Sequence, residues 1–179
     1  TAFTRRLWRI FPTSADRIEY VSLTRQDLTL PLLRTFDRYQ KVRQCWRKVD
    51  GVWKLKPFRF TERWDEKDLQ SLLLQLNQTL QQGGTVFAAL AQVKGKTMLA
   101  GFAALESDFF GPEGEYLQLS SLHVSYCFRG KGIGQQLMKL VSEKAMECGA
   151  KKLYISTHSS VESHGFYRKI GCEDACWIH

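Results

Sequence analysis

A glycine-rich turn that runs directly into an amphipathic helix constrains this chain more than any other stretch. The turn Arg129–Gly134 carries glycine at three alternate positions, so backbone amides can surround an anion without obstruction by Cβ atoms. From Ile133 onward apolar residues recur with the helical period, and Gly149 suits the C-terminal end of that helix. The first amides of the helix and the positive end of its dipole therefore point into the turn. The pattern predicts a phosphate-binding site.

Two common phosphate-binding motifs do not fit this turn. The dinucleotide fingerprint GxGxxG needs a third glycine at the position of Gln135. A nucleotide P-loop needs GxxxxGK followed by Ser or Thr, but the Gly130–Lys131 pair precedes Gly132 instead of closing the motif. A tight strand-to-helix turn that serves packing alone remains as the alternative.

The residues around the turn make the chain similar to the GNAT superfamily of N-acetyltransferases. Arg129-x-x-Gly132-x-Gly134, between the apolar stretch LQLSSLHVS and the helix, resembles the acetyl-coenzyme A motif of that family. Downstream, the segment FYRKIG at 166–171 resembles the family's FYxxxG segment. The resemblance covers residues 85–179 well, whereas over 18–84 it rests on element order. It implies an enzyme of α/β fold, with a GNAT-like mixed sheet and helices on both faces, that uses acetyl-CoA.

The same resemblance implies which residues hold acetyl-CoA. The amides of the turn would bind the pyrophosphate, and the backbone of 122–124 would pair with the pantetheine like another strand. Tyr167 matches a position that often protonates the departing thiolate in the family; packing beside Phe166 is its alternative role. Ser160 stands where the family usually has asparagine, and either binds the cofactor or caps a helix. The implied cofactor-binding residues are Leu122, His123, Val124, Arg129, Gly130, Lys131, Gly132, Ile133, Gly134, Gln135, Ser160, Phe166 and Tyr167.

Acetyl transfer to an amine sets the further requirements of the site. Because a thioester is already activated, the site needs no nucleophilic residue, but it must deprotonate an ammonium, stabilise an oxyanion and protonate a thiolate. Candidates for the base are Glu106 at a strand end, Glu115 at a loop exit, His123 on the strand before the turn, or a water. Glu106 is preferred because a strand end is rigid; an exposed carboxylate is the alternative for both glutamates. The acidic residues of 106–115 would attract a cationic acceptor.

Length and composition predict a single soluble domain. The 179 residues fit one domain, predicted over 16–179, with residues 1–15 as a disordered N-terminal segment. No apolar run approaches a membrane span and nothing resembles a signal peptide, so we expect a cytoplasmic protein that does not bind membranes. Five cysteines without a CxxC pair predict reduced thiols and no metal site.

The net charge of +8 is concentrated in the first half of the chain. Residues 1–90 hold 16 Lys and Arg against 9 Asp and Glu. Acidic residues are mixed among these charges and no nucleic-acid motif surrounds them, which favours a solvated surface over a nucleic-acid interface. The field would also attract a polyanion such as coenzyme A.

Hydrophobic periodicity predicts the element order β-α-α-β-β-β-α-β-α-β. Residues 27–48 have helical spacing, although Asp50–Gly51 also suits a hairpin between 45–46 and 52–55. The aromatic residues of 46–64 form either a satellite core or a wall over an acceptor pocket. The predicted strands are 18–23, 85–92, 98–106, 116–125, 151–157 and 172–178, and the other predicted helices are 65–82, 133–148 and 161–170.

The family sheet usually has a seventh strand, and that strand is missing from this sequence. Four alternatives stay open: the C-terminus is truncated, Thr4–Phe11 supplies the strand, a partner chain supplies it in a homodimer, or the edge is unpaired. The sequence as a whole predicts transfer of acetyl from acetyl-CoA to a primary amine of a small molecule or peptide. The alternative is a non-catalytic module on the same fold that binds coenzyme A or, through its basic face, nucleic acid.

Overall fold

The computed structural model describes residues 17–157 and 160–175, and a five-stranded mixed sheet forms its centre. In sheet order the strands are β1 (Ile18–Leu23), β4 (Thr85–Val93), β5 (Lys96–Leu105), β6 (Tyr116–Val124) and β7 (Lys152–Ile155). The first four strands pair antiparallel, whereas β6 and β7 run parallel. Strands β2 (Gln40–Val49) and β3 (Val52–Glu62) form a separate antiparallel hairpin.

Helices cover both faces of the sheet. Helices α1 (Leu30–Leu33) and α2 (Glu66–Gln81) pack on one face, α3 (Ile133–Glu147) packs on the other, and α4 (Val161–Lys169) follows β7. Residues of β5 alternate between the two cores: Ala103 packs with the α3 core, while Phe102 and Ala104 pack with the α1 and α2 core. The predicted α/β architecture, a mixed sheet with helices on both faces, is confirmed.

The predicted helix over residues 27–48 is wrong. Only α1 is helical there, capped by the Thr29 hydroxyl, and residues 40–49 form β2. A bulge between Val42 and Gln44 explains the error, because it leaves Val42 and Cys45 buried three residues apart, a spacing that imitates a helix. The hairpin alternative is correct: Asp50 and Gly51 form the tip with φ of 51° and 78°. The described elements run β-α-β-β-α-β-β-β-α-β-α.

The remaining predicted elements agree with the structure except at the C-terminus. The predicted helix 65–82 corresponds to α2, which Asp65 and Asp68 begin with a reciprocal capping box. In the predicted strand 172–178, residues 172–175 have no regular structure, and the rest lies outside the described residues. The predicted disordered segment 1–15 and the candidate strand Thr4–Phe11 also lie outside them. Within the described ranges, no helix combines the length and apolar character needed to span a membrane.

Candidate active site

The sheet opens between β6 and β7. Their pairing runs from Tyr116 and Lys152 to Leu119 and Ile155, where β7 ends, while β6 continues to Val124. On its other side β6 stays paired with β5, with Val124 opposite Gly101. The backbone of 120–124 therefore has one edge without a strand partner in the described part of the chain.

The glycine turn lies directly after this open edge. Arg129 Nε donates a hydrogen bond to the carbonyl of Val124 at 3.1 Å, which ties the turn to the strand end. Gly132 precedes α3 with φ of 78°, in the left-handed region, and no side chain caps the helix. The first intrahelical bond runs from Gln136 N to Gly132 O at 3.0 Å, so the amides of 133–135 precede the helical ladder. The predicted helix start at the glycines is confirmed.

Gly134 has a different role from the other two glycines. A Cβ at this position would lie 3.0 Å from Cε2 and 3.2 Å from Cζ of Phe166, closer than van der Waals contact allows. A Cβ at Gly130 or Gly132 would meet nothing within 4 Å. The third glycine thus allows α4 to pack against the start of α3, which brings Tyr167 beside the turn.

Helix α4 begins at Ser160 and carries Tyr167. Ser160 is fully buried, and its hydroxyl accepts a hydrogen bond from Ser163 N at 3.2 Å, which is the helix-cap role of the two that the sequence left open. Burial raises the pKa of Tyr167 to about 12, with a smaller contribution from Cys172. The Tyr167 hydroxyl therefore keeps its proton at neutral pH.

One cavity of about 700 Å³ connects the open strand edge, the turn and α4. Most of the predicted cofactor-binding residues line this cavity, but Ser160 and Lys131 do not. The Lys131 ammonium lies 5.8 Å from the centroid of the Phe128 ring. The predicted residues in the lining are Leu122, His123, Val124, Arg129, Gly130, Gly132, Ile133, Gly134, Gln135, Phe166 and Tyr167.

The three candidate bases occupy very different places. His123 lines the cavity, and its ring contacts Trp64 and Phe102 at centroid distances of 5.1 and 5.3 Å. Glu106 follows β5 and does not line the cavity. Its carboxylate accepts a hydrogen bond from the Thr79 hydroxyl at 2.9 Å and a short one from Ser120. Of the three candidates, His123 is the one that the structure brings together with Tyr167.

Glu115 lies at the far end of β6 from the glycine turn. Its carboxylate accepts a hydrogen bond from Glu113 N at 3.0 Å and is 3.8 Å from Lys152 Nζ. Burial raises the pKa of Glu115, but backbone hydrogen bonds and the neighbouring Lys152 and Lys151 lower it further, so the net shift is downward. This carboxylate is ionised at neutral pH and paired away from the cavity.

The wall opposite the turn includes residues that the sequence did not single out. Asp37 O accepts from Tyr126 N at 2.9 Å, and Asp37 N donates to the Ser125 hydroxyl at 3.0 Å. These two bonds hold the segment before β2 against the end of β6 and place Arg38 and Tyr126 in the cavity lining. The only sequence signal for this wall was the Asp50–Gly51 turn, because it marks the hairpin that the segment leads into.

Metal chemistry has no ligand set in the described residues. No group of three or more His, Cys, Asp or Glu side chains lies close enough together to hold a metal ion there. The cysteines within the described ranges, Cys45, Cys127, Cys148 and Cys172, are free thiols.

The family model described as "Acetyltransferase (GNAT) family" matches residues 49–172. The chain therefore belongs to the GNAT acetyltransferase family, and acetyl-CoA is the co-substrate of that family.

Solved structures with the same fold come from several acetyltransferases. Nourseothricin acetyltransferase has a TM-score of 0.62 and 20% identity, over 86% of this chain and 82% of that chain. A protein described as a streptothricin acetyltransferase from Bacillus anthracis, in complex with acetyl coenzyme A, has a TM-score of 0.65 and 17% identity, over 87% and 83%. Ribosomal-protein-alanine N-acetyltransferase from Brucella melitensis has a TM-score of 0.57 and 20% identity, over 91% and 96%. A search of curated protein sequences finds no match.

Proposed function

We propose that this enzyme transfers the acetyl group of acetyl-CoA to a primary amine of a small molecule or peptide by direct attack. The observation that carries the proposal is the single cavity in which the open edge of β6, the glycine turn and the Tyr167 hydroxyl meet. No nucleophilic side chain is needed, because the thioester supplied by acetyl-CoA is already activated.

The residues around the turn fit a pyrophosphate. Amides of 133–135 point out of the N-terminus of α3, where an anion is stabilised by the helix dipole. Gly132 has no side chain, and a Cβ at this position would meet nothing within 4 Å, so the space beside these amides is open. Arg129 and Lys169 add positive charge to the same side of the cavity. Beyond Leu119 the edge of β6 that faces away from β5 has no strand partner among the described residues, and this edge offers hydrogen-bonding groups to the extended pantetheine arm.

Two side chains of the cavity suit the proton transfers. His123 accepts the proton of the incoming ammonium, since it is the candidate base that lines the cavity. The free amine then attacks the thioester carbonyl carbon, its nitrogen releases a second proton to solvent, and the carbon–sulfur bond breaks. His123 returns its own proton to solvent before the next turnover. Tyr167 gives its proton to the departing thiolate and regains one from solvent, and its high pKa keeps it protonated before each turnover. The products are an amide and coenzyme A.

The activity is tested with a screen of amines, polyamines, amino acids, aminoglycosides and peptides for thiol release from acetyl-CoA. Calorimetry with acetyl-CoA alone is the companion measurement, and absence of both heat and a thermal shift would contradict the proposed cofactor site. Acetyl-CoA binding without release of thiol on any acceptor would instead indicate the non-catalytic module.

Two variants assign the proton transfers. Tyr167→Phe should lower kcat at least tenfold while the dissociation constant of acetyl-CoA stays within twofold, because only the hydroxyl is lost. His123→Gln should remove the acidic limb of the kcat/KM pH profile. Glu106→Gln is the matched control, since Glu106 does not line the cavity. Loss of the acidic limb in Glu106→Gln rather than in His123→Gln would reassign the base.

A further inference from the structure

The cavity has a second wall that faces the glycine turn. The turn and α4 form one side, and the start of β2 with the two residues before it forms the other, through Arg38, Lys41 and Arg43. Because the proposed function places acetyl-CoA against the turn, the acceptor must approach from the β2 side.

The charge of the lining does not suit a purely cationic acceptor. Among the described residues that line the cavity, Arg and Lys side chains number five and Glu162 is the single carboxylate. Arg129 and Lys169 lie on the side of the turn, where the phosphates of the donor would balance them. Of the three cations on the acceptor side, Arg38 is paired with Glu62, whereas Lys41 and Arg43 have no ion pair among the described residues. The positive field of these two side chains repels a polyamine.

Arg38 is the buried member of that side. It is 7% exposed, its Nη2 lies 2.6 Å from Glu62 Oε2, and its Nη1 donates to Gln40 Oε1 at 2.6 Å. Its guanidinium carbon lies 5.6 Å from the centroid of the Trp64 ring. These contacts fix the guanidinium in one orientation in the cavity wall.

One donor of this fixed guanidinium has no partner. Arg38 Nε is buried, and no hydrogen-bond acceptor within the described residues satisfies it. A buried donor without a partner costs about 1–3 kcal/mol, so native structures rarely leave one unsatisfied. Arginine is suited to carboxylate and phosphate oxygens, which accept such hydrogen bonds.

Glu106 and Glu115, two of the acidic residues that we expected to attract a cationic acceptor, lie outside the cavity lining. Glu106 is bound by Thr79 and Ser120, and Glu115 by Lys152, and neither lines the cavity. They cannot offset the positive charge on the β2 side.

We propose that the acceptor is an amine that also carries an anionic oxygen group, a carboxylate or a phosphate. Arg38, with Lys41 and Arg43, holds that group against the β2 wall, and the amine extends toward His123 and Tyr167. This inference rests on the proposed function, because it takes the turn side of the cavity for acetyl-CoA.

Matched acceptor pairs test the charge preference directly. Ornithine and putrescine differ by a carboxylate, and phosphoethanolamine and ethanolamine differ by a phosphate, so the two pairs also separate the two oxyanions. We expect at least tenfold higher kcat/KM for the anionic member of one pair, measured as thiol release from acetyl-CoA. Equal or higher kcat/KM for putrescine and ethanolamine would overturn the inference.

A binding measurement keeps the inference testable without turnover. The same four compounds are titrated calorimetrically into the protein saturated with coenzyme A. Tighter binding of an anionic member without turnover would uphold the charge preference while the proposed reaction failed. Binding without such a preference, or no binding of any of the four, would overturn the inference whatever the activity.

Variants of the β2 wall assign the preference to named residues. Lys41 and Arg43 are exposed, so Lys41→Gln combined with Arg43→Gln should fold normally. The double variant should raise KM for the anionic acceptor at least fivefold and leave KM unchanged for the member of the pair that lacks the carboxylate or phosphate. Arg38→Lys, which removes Nε, should have a larger effect of the same kind. Lys139→Gln on α3 is the control, because Lys139 is exposed and paired with Glu143 outside the cavity. Equal losses for both members of a pair would show a merely structural role and contradict the proposal.

Discussion

Replacing Gly134 by alanine tests whether the third glycine of the turn serves packing rather than anion binding. The new methyl group would lie 3.0 Å from Phe166 Cε2, whereas carbon atoms in favourable contact are about 3.5–4.0 Å apart. Either Phe166 or the whole of α4 must move by several tenths of an ångström. Because Tyr167 is the next residue on the same helix, its hydroxyl moves as well.

The size of the effect follows from the crowding. Overpacking of this kind costs about 1–3 kcal/mol in the free energy of unfolding. For a domain of this length each kcal/mol lowers Tm by about 2–4 °C, so we expect a decrease of roughly 2–12 °C. Displacement of Tyr167 should also reduce kcat about tenfold, since catalytic groups misplaced by 1 Å lose about 100-fold.

Thermal unfolding and steady-state thiol release measure both effects. Gly165→Ala is the matched control: it also lies in α4, beside Phe166, but its Cβ would meet nothing within 4 Å, and alanine favours a helix over glycine by about 1 kcal/mol. Adding Phe166→Leu to Gly134→Ala should recover part of the lost stability, as expected for a contacting pair. If Gly134→Ala matched Gly165→Ala in Tm and kcat, the packing role would be refuted.

Three further predictions concern the turn and α4. Gly132→Glu should abolish the calorimetric signal of acetyl-CoA binding, because it puts a carboxylate on a residue with φ of 78° at the anion site. Gly132→Ala should only weaken acetyl-CoA binding. Equal affinities of the two variants for acetyl-CoA would contradict the prediction. The pKa of Tyr167 rises from 10.0 to about 12 on folding, so the neutral phenol stabilises the fold below pH 10 and that contribution is lost as the pH rises toward 12. Between these pH values the Tm of the wild type should therefore fall more steeply than the Tm of Tyr167→Phe. Parallel Tm curves for the two proteins would contradict the pKa shift. Ser160→Ala should cost about 0.5–2 kcal/mol in urea unfolding by removing the hydrogen bond to Ser163 N, while Ser163→Ala, which keeps that backbone donor, should cost less.

Sequence reasoning predicted the second half of the fold because local signals and tertiary structure agree there. The period of apolar residues from Ile133 and the glycines before it define α3 without reference to the rest of the molecule. The segment 27–48 failed for the opposite reason. Its apolar spacing depends on a bulge near Val42, which forms only when β3 pairs with β2, so a local pattern could not reveal it.

The candidate site divides in the same way. Residues of the turn and Tyr167 occupy short motifs, and the structure brings them into one cavity. Arg38 has no motif, because its position depends on the hydrogen bonds between Asp37 and the residues after β6. The preference for Glu106 rested on the rigidity of a strand end, but rigidity does not show which end of a strand adjoins the cavity.

Because β6 and β7 separate after Leu119, an inner strand of the sheet has an unpaired edge, whereas unpaired edges usually belong to the outermost strands. A free edge at the rim invites pairing with other chains, but this one opens into a cavity walled by the β2 side and by α4. The amides within 120–124 that point to this edge should exchange with solvent deuterium faster than those of paired β5, and slow when acetyl-CoA is added, so that their exchange reports cofactor occupancy.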